Sequence, residues 1–288
     1  MRLSLAVTLG IGFTALCTAQ TIAGIGATYP GSTTNQELAA QRRSIKEGKE
    51  GRKSAVQSPN VVVFTGDRVI PQFVDGGSWQ TSITVVNLEN HSTEFDVLFF
   101  DDNGFDLAVP IAGQGVLKGV HVFLNTAASY TFETTGRNFD LTSGWALLSQ
   151  TNNDSVGIFA IFRQAVPGRQ VQEAVVPAVN QFSGHFVLPF DNTVYSTGIA
   201  LANPTTKPVV IPITIRNEQG QVIDTRQLSL GAYSHTAFAM PDRWSSTVGR
   251  RGVIEFVTSG FGVGALGLRF NGSAFTSLNV LENLAWTQ

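Results

Sequence analysis

Trp79-Gln80-Thr81-Ser82-Ile83-Thr84-Val85-Val86-Asn87 is the stretch whose pattern decides the fold. From Thr81 onward the side chains alternate, with Ile83 and Val85 on one face and Ser82 and Thr84 on the other. A period of two is what a strand with one buried face requires, because successive Cβ atoms point to opposite sides of a sheet. The pattern returns later in the chain. Asn87 and Asn203 are 116 residues apart, and so are Gly104 and Gly220. At that offset Ile83 and Val85 meet Ile199 and Leu201, while Phe95, Val97 and Phe99 meet Ile211, Ile213 and Ile215. A repeat that preserves alternate apolar positions preserves a strand face rather than a catalytic centre. The chain therefore contains two copies of one β-unit, over residues 70–177 and 186–280.

Glu94 to Phe100 alternates in the same way, and Asn103-Gly104 then interrupts it. That dipeptide favours a type I′ hairpin turn. Further strands are expected at 116–123, 128–134, 144–150, 156–163 and 171–177. In the second copy they are expected at 186–190, 197–203, 208–217, 221–230, 233–239, 251–258, 262–270 and 274–280. Short strands about ten residues apart with turn residues between them indicate sandwiches or a barrel. Ser129-Tyr130-Thr131 aligns with Ser234-His235-Thr236 at an offset of 105, which leaves the first copy 11 residues longer, around 111–125. A lipid-facing barrel is disfavoured, because the outward positions carry Glu94, Asp96, Arg216 and Glu255.

The flanking segments differ. Arg2, the apolar run 3–16 and Cys17-Thr18-Ala19 have the form of a secretory signal peptide cleaved after Ala19. Lipid anchoring at Cys17 is disfavoured, because Leu16 precedes it where a small residue is usual. Cleavage removes the only cysteine and leaves a chain without disulfides. Residues 20–58 are a polar leader. Thr34 and Glu37 form a capping box for a short helix over 35–47, followed by a charged spacer. Val61-Val62-Val63-Phe64 is a short strand candidate. The expected organisation is signal peptide 1–19, leader 20–58, first sandwich 59–180, second sandwich 181–284 and tail 285–288. Without Arg2 there are 18 basic and 21 acidic residues, a net charge of −3, which offers nothing to a nucleic-acid backbone. No second apolar run is long enough to span a membrane as a helix.

Several residues carry a chemical suggestion. Asp101, Asp102 and Asp106 surround a glycine turn as calcium ligands do, but no distal bidentate Glu completes the loop. The second copy has Asn217-Glu218-Gln219-Gly220 there, so a polar hairpin tip explains both. Gly262-Val263-Gly264-Ala265-Leu266-Gly267 spells a dinucleotide fingerprint, yet no helix can follow it, and the run aligns with a strand of the first copy. His91, His121, His185 and His235 have no partner at metal-ligand spacing, and no G-x-S-x-G elbow is present. Trp79 and Tyr195 are equivalent, each just before a strand. They form either lids on the core or platforms for a sugar. Trp145 aligns with Val253 and belongs to the core, and Arg163 and Arg269 are expected to meet carboxylates at a sheet edge.

The run 79–87, the hairpin 99–104 and the segments 188–192, 198–204 and 267–270 resemble a family of uncharacterised secreted bacterial proteins of acidobacterial type. That family is built from paired immunoglobulin-like β-domains. The resemblance covers about residues 60–282. It implies an all-β fold of two tandem immunoglobulin-like antiparallel β-sandwiches, in a protein that is secreted, periplasmic or held at the cell surface. It supplies no catalytic residues. The expected function is that of an exported, non-catalytic adhesive, scaffolding or surface component without a cofactor, contacting a protein or a glycan. A carbohydrate-binding module using Trp79 and Tyr195 is the alternative, and a hydrolase with a dispersed site comes third.

Overall fold

A computed structural model describes residues 67–150, 154–179, 184–258 and 262–282. The signal peptide, Cys17, the leader with its 35–47 helix, the Val61–Phe64 strand and the tail lie outside the described residues.

In the first half the strands run β1 (Arg68–Asp75), β2 (Trp79–Asn87), β3 (Thr93–Phe100), β4 (Val109–Ile111), β5 (Gly115–Leu117), β6 (Gly119–Leu124), β7 (Ser129–Glu133), β8 (Thr142–Ser149), β9 (Val156–Gln164) and β10 (Gln172–Pro177). In the second they run β11 (His185–Asp191), β12 (Ser196–Ala202), β13 (Val209–Asn217), β14 (Val222–Leu230), β15 (His235–Ala239), β16 (Arg251–Val257), β17 (Gly264–Asn271), β18 (Ala274–Leu278) and β19 (Leu281–Glu282). One helical turn, Met240–Arg243, separates β15 from β16.

The strand orders are β1-β8-β3-β6 and β10-β9-β2-β7 in the first half, and β14-β13-β16-β11-β19 and β15-β12-β17-β18 in the second. All pairings are antiparallel. Read with β11 for β1, β16 for β8, β13 for β3 and β14 for β6, the first order reappears in the third. The second reappears in the fourth in the same way. The repeat seen in the side-chain pattern is thus also a repeat of sheet topology. These are open sheets packed in layers, not one closed barrel.

The inward positions are those the alternation marks. Ile199, Leu201, Ile211, Ile213, Ile215, Leu228, Ile254 and Phe256 share one core cluster. In the first half Ile83, Val85, Phe95, Val97, Phe99 and Phe132 are buried, and Phe99 packs on Phe73 at 5.1 Å between ring centroids. At 20–33 cal/mol per Å² of apolar surface, such aromatic and branched side chains each supply about 1.5–3 kcal/mol. With no disulfide among the described residues, these cores carry the stability.

Buried polar residues recur as faithfully as apolar ones. Asn87 Nδ2 donates to the carbonyls of His91 (2.7 Å) and Asn125 (2.9 Å), and its Oδ1 accepts from Glu89 N. Asn203 Nδ2 donates to Lys207 (2.7 Å) and Gly231 (2.6 Å), and its Oδ1 accepts from Thr205 N. Each asparagine fastens the two loops at its end of the sandwich by donating to both and accepting from one of them. Gly144 and Gly252 recur for a steric reason. A Cβ there would lie 2.1 Å from Phe100 O and 1.9 Å from Arg216 O respectively, the carbonyls of equivalent residues on β3 and β13.

Three expectations are corrected. Asn103-Gly104 does not form a type I′ turn, since only Gly104 has positive φ (85°). Gly104 N donates to Asp101 O and Asp101 N to Phe105 O. This is the three-residue loop in which a left-handed glycine closes a type I turn. Gly220 (φ 77°) does the same in the second copy. The register between β2 and β7 (Val85 with Tyr130) and between β12 and β15 (Leu201 with Thr236) sets the offset at 106, not 105. His235 therefore answers to Ser129, and the first copy is ten residues longer, not 11. The extra residues form the β4–β5 ribbon. It caps the β7 edge through Ala112 N to Glu133 O and Thr135 N to Pro110 O, and buries Val109 and Ile111.

Candidate functional site

The two halves meet across a buried junction. Its floor is the outer face of the β1-β8-β3-β6 sheet, where Val69, Leu98, Phe100, Trp145 and Leu147 cluster with Ala202 and Tyr233 of the second half. Phe100 stacks on Trp145 at 4.7 Å and on Tyr233 at 5.3 Å, with interplanar angles of 18° and 9°. Tyr233 reaches this position from the β14–β15 turn with φ at 54°, a left-handed geometry uncommon for a non-glycine residue. Ala127, its counterpart between β6 and β7, has φ at 56° but no ring to offer.

The hairpin tip after β3 grips that turn. Gly104 lies so close that a Cβ would come within 2.4 Å of Ala232 O. Asp102 O accepts from His235 N, and Asp102 Oδ1 lies 2.8 Å from His235 Nδ1. The imidazole is fully buried, and its Nε2 has no hydrogen-bond partner. β1 is nearly enclosed, with its inner face in the first core and its outer face against β12 and β17. β12 accepts this neighbour because its outward residues are Gly198, Ala200 and Ala202, all buried. Gly264 on β17 leaves room for Val69, whose Cγ1 would lie 2.7 Å from an added Cβ.

The three aspartates of the glycine turn are placed on separate tasks. Asp101 Oδ1 accepts from Asn103 N and Phe105 N. Asp102 holds His235, and Asp106 Oδ2 lies 3.6 Å from Lys118 Nζ. Among the described residues no three His, Cys, Asp or Glu side chains converge to hold a metal. Gly264 and Gly267 of the fingerprint run lie in β17. There a Cβ at Gly267 would meet Leu188 Cδ1 at 2.5 Å, so tight sheet packing accounts for that glycine.

Trp79 does not stand at an open edge. It is 8% exposed, wedged between Phe162 (6.3 Å) and Phe275 of the second half (5.0 Å). It has no face for a sugar, which corrects its candidacy as a stacking platform. Tyr195 is half-buried under the Arg269 guanidinium, 4.5 Å from the ring centroid. Arg269 therefore makes a cation–π contact rather than the edge ion pair expected of it. Arg163 does pair with a carboxylate, Glu173, at 3.5 Å. His185 Nε2 lies 2.7 Å from Glu255 Oε1, and Arg216 Nη2 lies 3.3 Å from Glu255 Oε2, an ion cluster spanning β11, β16 and β13. His121 pairs with Asp96 at 2.9 Å, and His91 lies in a polar loop near Glu89 and Asp154.

A concave site missed in the sequence lies at the far end of the second half. The turn at Thr193, the hairpin tip 217–219 and Gly249-Arg250-Arg251 surround a shallow polar cleft. Asn217 Oδ1 fixes its wall by accepting from Gln219 N and Gln221 N, as Asp101 does in the first copy. Arg251 is held by Asp191 at 3.7 Å, Glu218 at 3.9 Å and Thr193 Oγ1 at 3.4 Å. The Asp191 carboxyl is held below the usual carboxylate range, chiefly by the Thr193 hydroxyl and then by Thr193 N–H, Arg251 and Arg269. Arg250 is exposed, and its guanidinium has no partner among the described residues. The signal available in the sequence was the pair Arg250-Arg251 facing the copied hairpin tip.

No family model matches this sequence, and no curated protein matches it. Among solved structures, vicilin from Solanum melongena is 7% identical over 74% of this chain and 73% of its own, with a TM-score of 0.21.

Proposed function

We propose that the protein is an exported, non-catalytic interaction protein, a surface or scaffolding component, that meets its partner at the cleft on the second half. One comparison carries the reading. The hairpin tip of the first copy is a contact device, because Asp102 and Gly104 clamp the 231–235 turn. The equivalent tip carries Glu218 and Gly220 and is open to solvent beside the unpartnered Arg250. The same device clamps another turn of the chain once, and in the second copy it stays exposed, held by local contacts to Arg251 and Arg216.

The immunoglobulin-like description belongs to this proposal. In that fold strand B pairs with E in one sheet and C with F in the other. Here β2 pairs with β7 and β3 with β8, and the second half repeats this with β12–β15 and β13–β16. The outer strands depart from that scheme, since β1 lies beside β8 and β9 beside β2. No helix among the described residues is long and apolar enough to cross a membrane. Secretion rests on the sequence of residues 1–19.

The test is binding of the purified protein to immobilised acidic, neutral and basic polysaccharides, beside Arg250→Glu and Glu218→Arg. Retention that either variant reduces at least tenfold supports the reading. Retention that neither variant alters, or no retention on any surface, overturns it. The carbohydrate-binding alternative now rests on Tyr195 alone, and selective loss on Tyr195→Ala would favour it.

A further inference from the structure

Four of the sheet edges among the described residues are closed in different ways, and β6 is not. β7 is capped by the ribbon, and β10 ends in Pro177 and lies along β18. β14 carries the Asp224–Arg226 ion pair and is covered by the turn containing Ser246. β15 donates His235 N to Asp102 O. These are recognised ways of blocking edge-to-edge association. β6 has none of them. Its sequence Gly-Val-His-Val-Phe-Leu has no Pro or Lys, and Phe123 is 61% exposed.

The direction of its free backbone groups follows from one hydrogen bond. Phe99 N donates to Lys118 O, so Phe99 and Lys118 form a doubly bonded type of pair. In an antiparallel ladder such pairs alternate with non-bonded ones. In the observed register Val97–Val120, Phe95–Val122 and Thr93–Leu124 therefore bond inward. The N–H and C=O groups of Gly119, His121 and Phe123 point away from the sheet, spaced two residues apart.

We propose that β6 is the edge through which two copies of this chain associate, antiparallel and in a register centred on His121. Three doubly bonded pairs then form: Gly119 with the partner's Phe123, His121 with the partner's His121, and Phe123 with the partner's Gly119. The two β1-β8-β3-β6 sheets become one eight-stranded sheet. This register is the one the side chains fit. The side chains of residues 119, 121 and 123 share the outer face, so each exposed Phe123 ring lies over a glycine, the cross-strand arrangement that shelters a glycine backbone. The two imidazoles meet on the two-fold axis, each backed by its own Asp96 at 2.9 Å. The contact is isologous and therefore closes at two copies. Six residues make a short edge, which places the interface in the weak class.

The test is sedimentation equilibrium of the full chain over a broad concentration range, beside Phe123→Lys and His121→Pro. Proline at 121 removes only an outward N–H and leaves the internal ladder intact. Circular dichroism and the melting temperature of each variant establish that it is folded. A dimer in the parent, weakened at least tenfold in both folded variants, is the expected result. The register is tested by His121→Cys in a Cys17→Ser background, which should give a disulfide-linked dimer on mild oxidation, whereas Glu94→Cys should not. A parent that stays monomeric, a dimer unchanged by both substitutions, or cross-linking at Glu94→Cys but not His121→Cys overturns the proposal.

Discussion

Trp145 Nε1 donates to the Tyr233 carbonyl across 2.7 Å, a bond between residues 88 positions apart that joins one half to the other. The same tyrosine closes the Phe100–Trp145 stack, so one turn residue supplies both the polar and the aromatic part of the junction. The consequence is cooperative unfolding. The parent should melt in a single calorimetric transition. Tyr233→Ala should cost about 3–5 kcal/mol and split the trace into two. Trp145→Phe keeps a ring but leaves the carbonyl unpaired, so it should cost about 1–3 kcal/mol and keep one transition.

The buried asparagines should be equally costly to lose in both copies. Asn87→Ala and Asn203→Ala each remove at least three side-chain hydrogen bonds that tie two loops together, and about 2–4 kcal/mol is expected from each. The sites lie in different halves, so the double variant should show the sum to within about 0.5 kcal/mol. Urea unfolding of the four proteins measures this. Asn203→Asp should be at least as damaging as Asn203→Ala at neutral pH, because a carboxylate would then face the Lys207 and Gly231 carbonyls.

Most strands were legible in the sequence because inward and outward positions differ in kind, as Ile83 and Val85 do from Ser82 and Thr84. The junction was not, for reasons that are physical. Gly198, Ala200 and Ala202 alternate with Ile199 and Leu201, so β12 is apolar on both faces. That is the mark of a strand covered on both sides. The signal was present but was absorbed into the repeat, which matched only the inner face. Tyr233 carried no signal, because nothing in Gly231-Ala232-Tyr233-Ser234 marks the tyrosine as the left-handed residue. The slip of one residue at Ser129 arose because matching serines outweighed the equivalence of Phe132, which pairs with Ile83, and Phe238, which pairs with Ile199, and only the ladder reveals it. Trp79 was legible as a lid, but not that its cover comes from Phe275 in the other copy.

The paired strand glycines separate steric need from chain flexibility. Gly144→Ala and Gly252→Ala would place a methyl group well inside van der Waals contact with the carbonyls of Phe100 and Arg216. The opposing atoms are backbone, so the strands must shift, at a cost of about 3 kcal/mol or more. Gly231 provides the opposite case. Its φ is not left-handed, and the nearest atom to an added Cβ is Ser234 Oγ at 3.5 Å. Gly231→Ala should be neutral or stabilise by up to about 1 kcal/mol, through the unfolded chain. Thermal melts of the three variants should differ in sign, not only in size.

Acid should loosen the β14 edge. The Ser246 hydroxyl, then Arg226 and the Thr225 N–H, hold the Asp224 carboxyl below its ordinary value of 3.8. A carboxyl depressed in the folded state contributes stability that is fully present above its unfolded pKa. That contribution is lost as the pH falls below 3.8 and through the lower folded value. Ser246→Ala removes the largest cause. A carboxyl-detected NMR titration should show Asp224 returning toward its ordinary range, and the acid limb of the stability curve should become shallower as the pH falls below 3.8. Asp191 is a control within the same molecule, because its depression depends chiefly on Thr193, at the cleft. Its titration should stay unchanged in Ser246→Ala, and a shift of both carboxyls together would mean that the substitution had disturbed the second half as a whole.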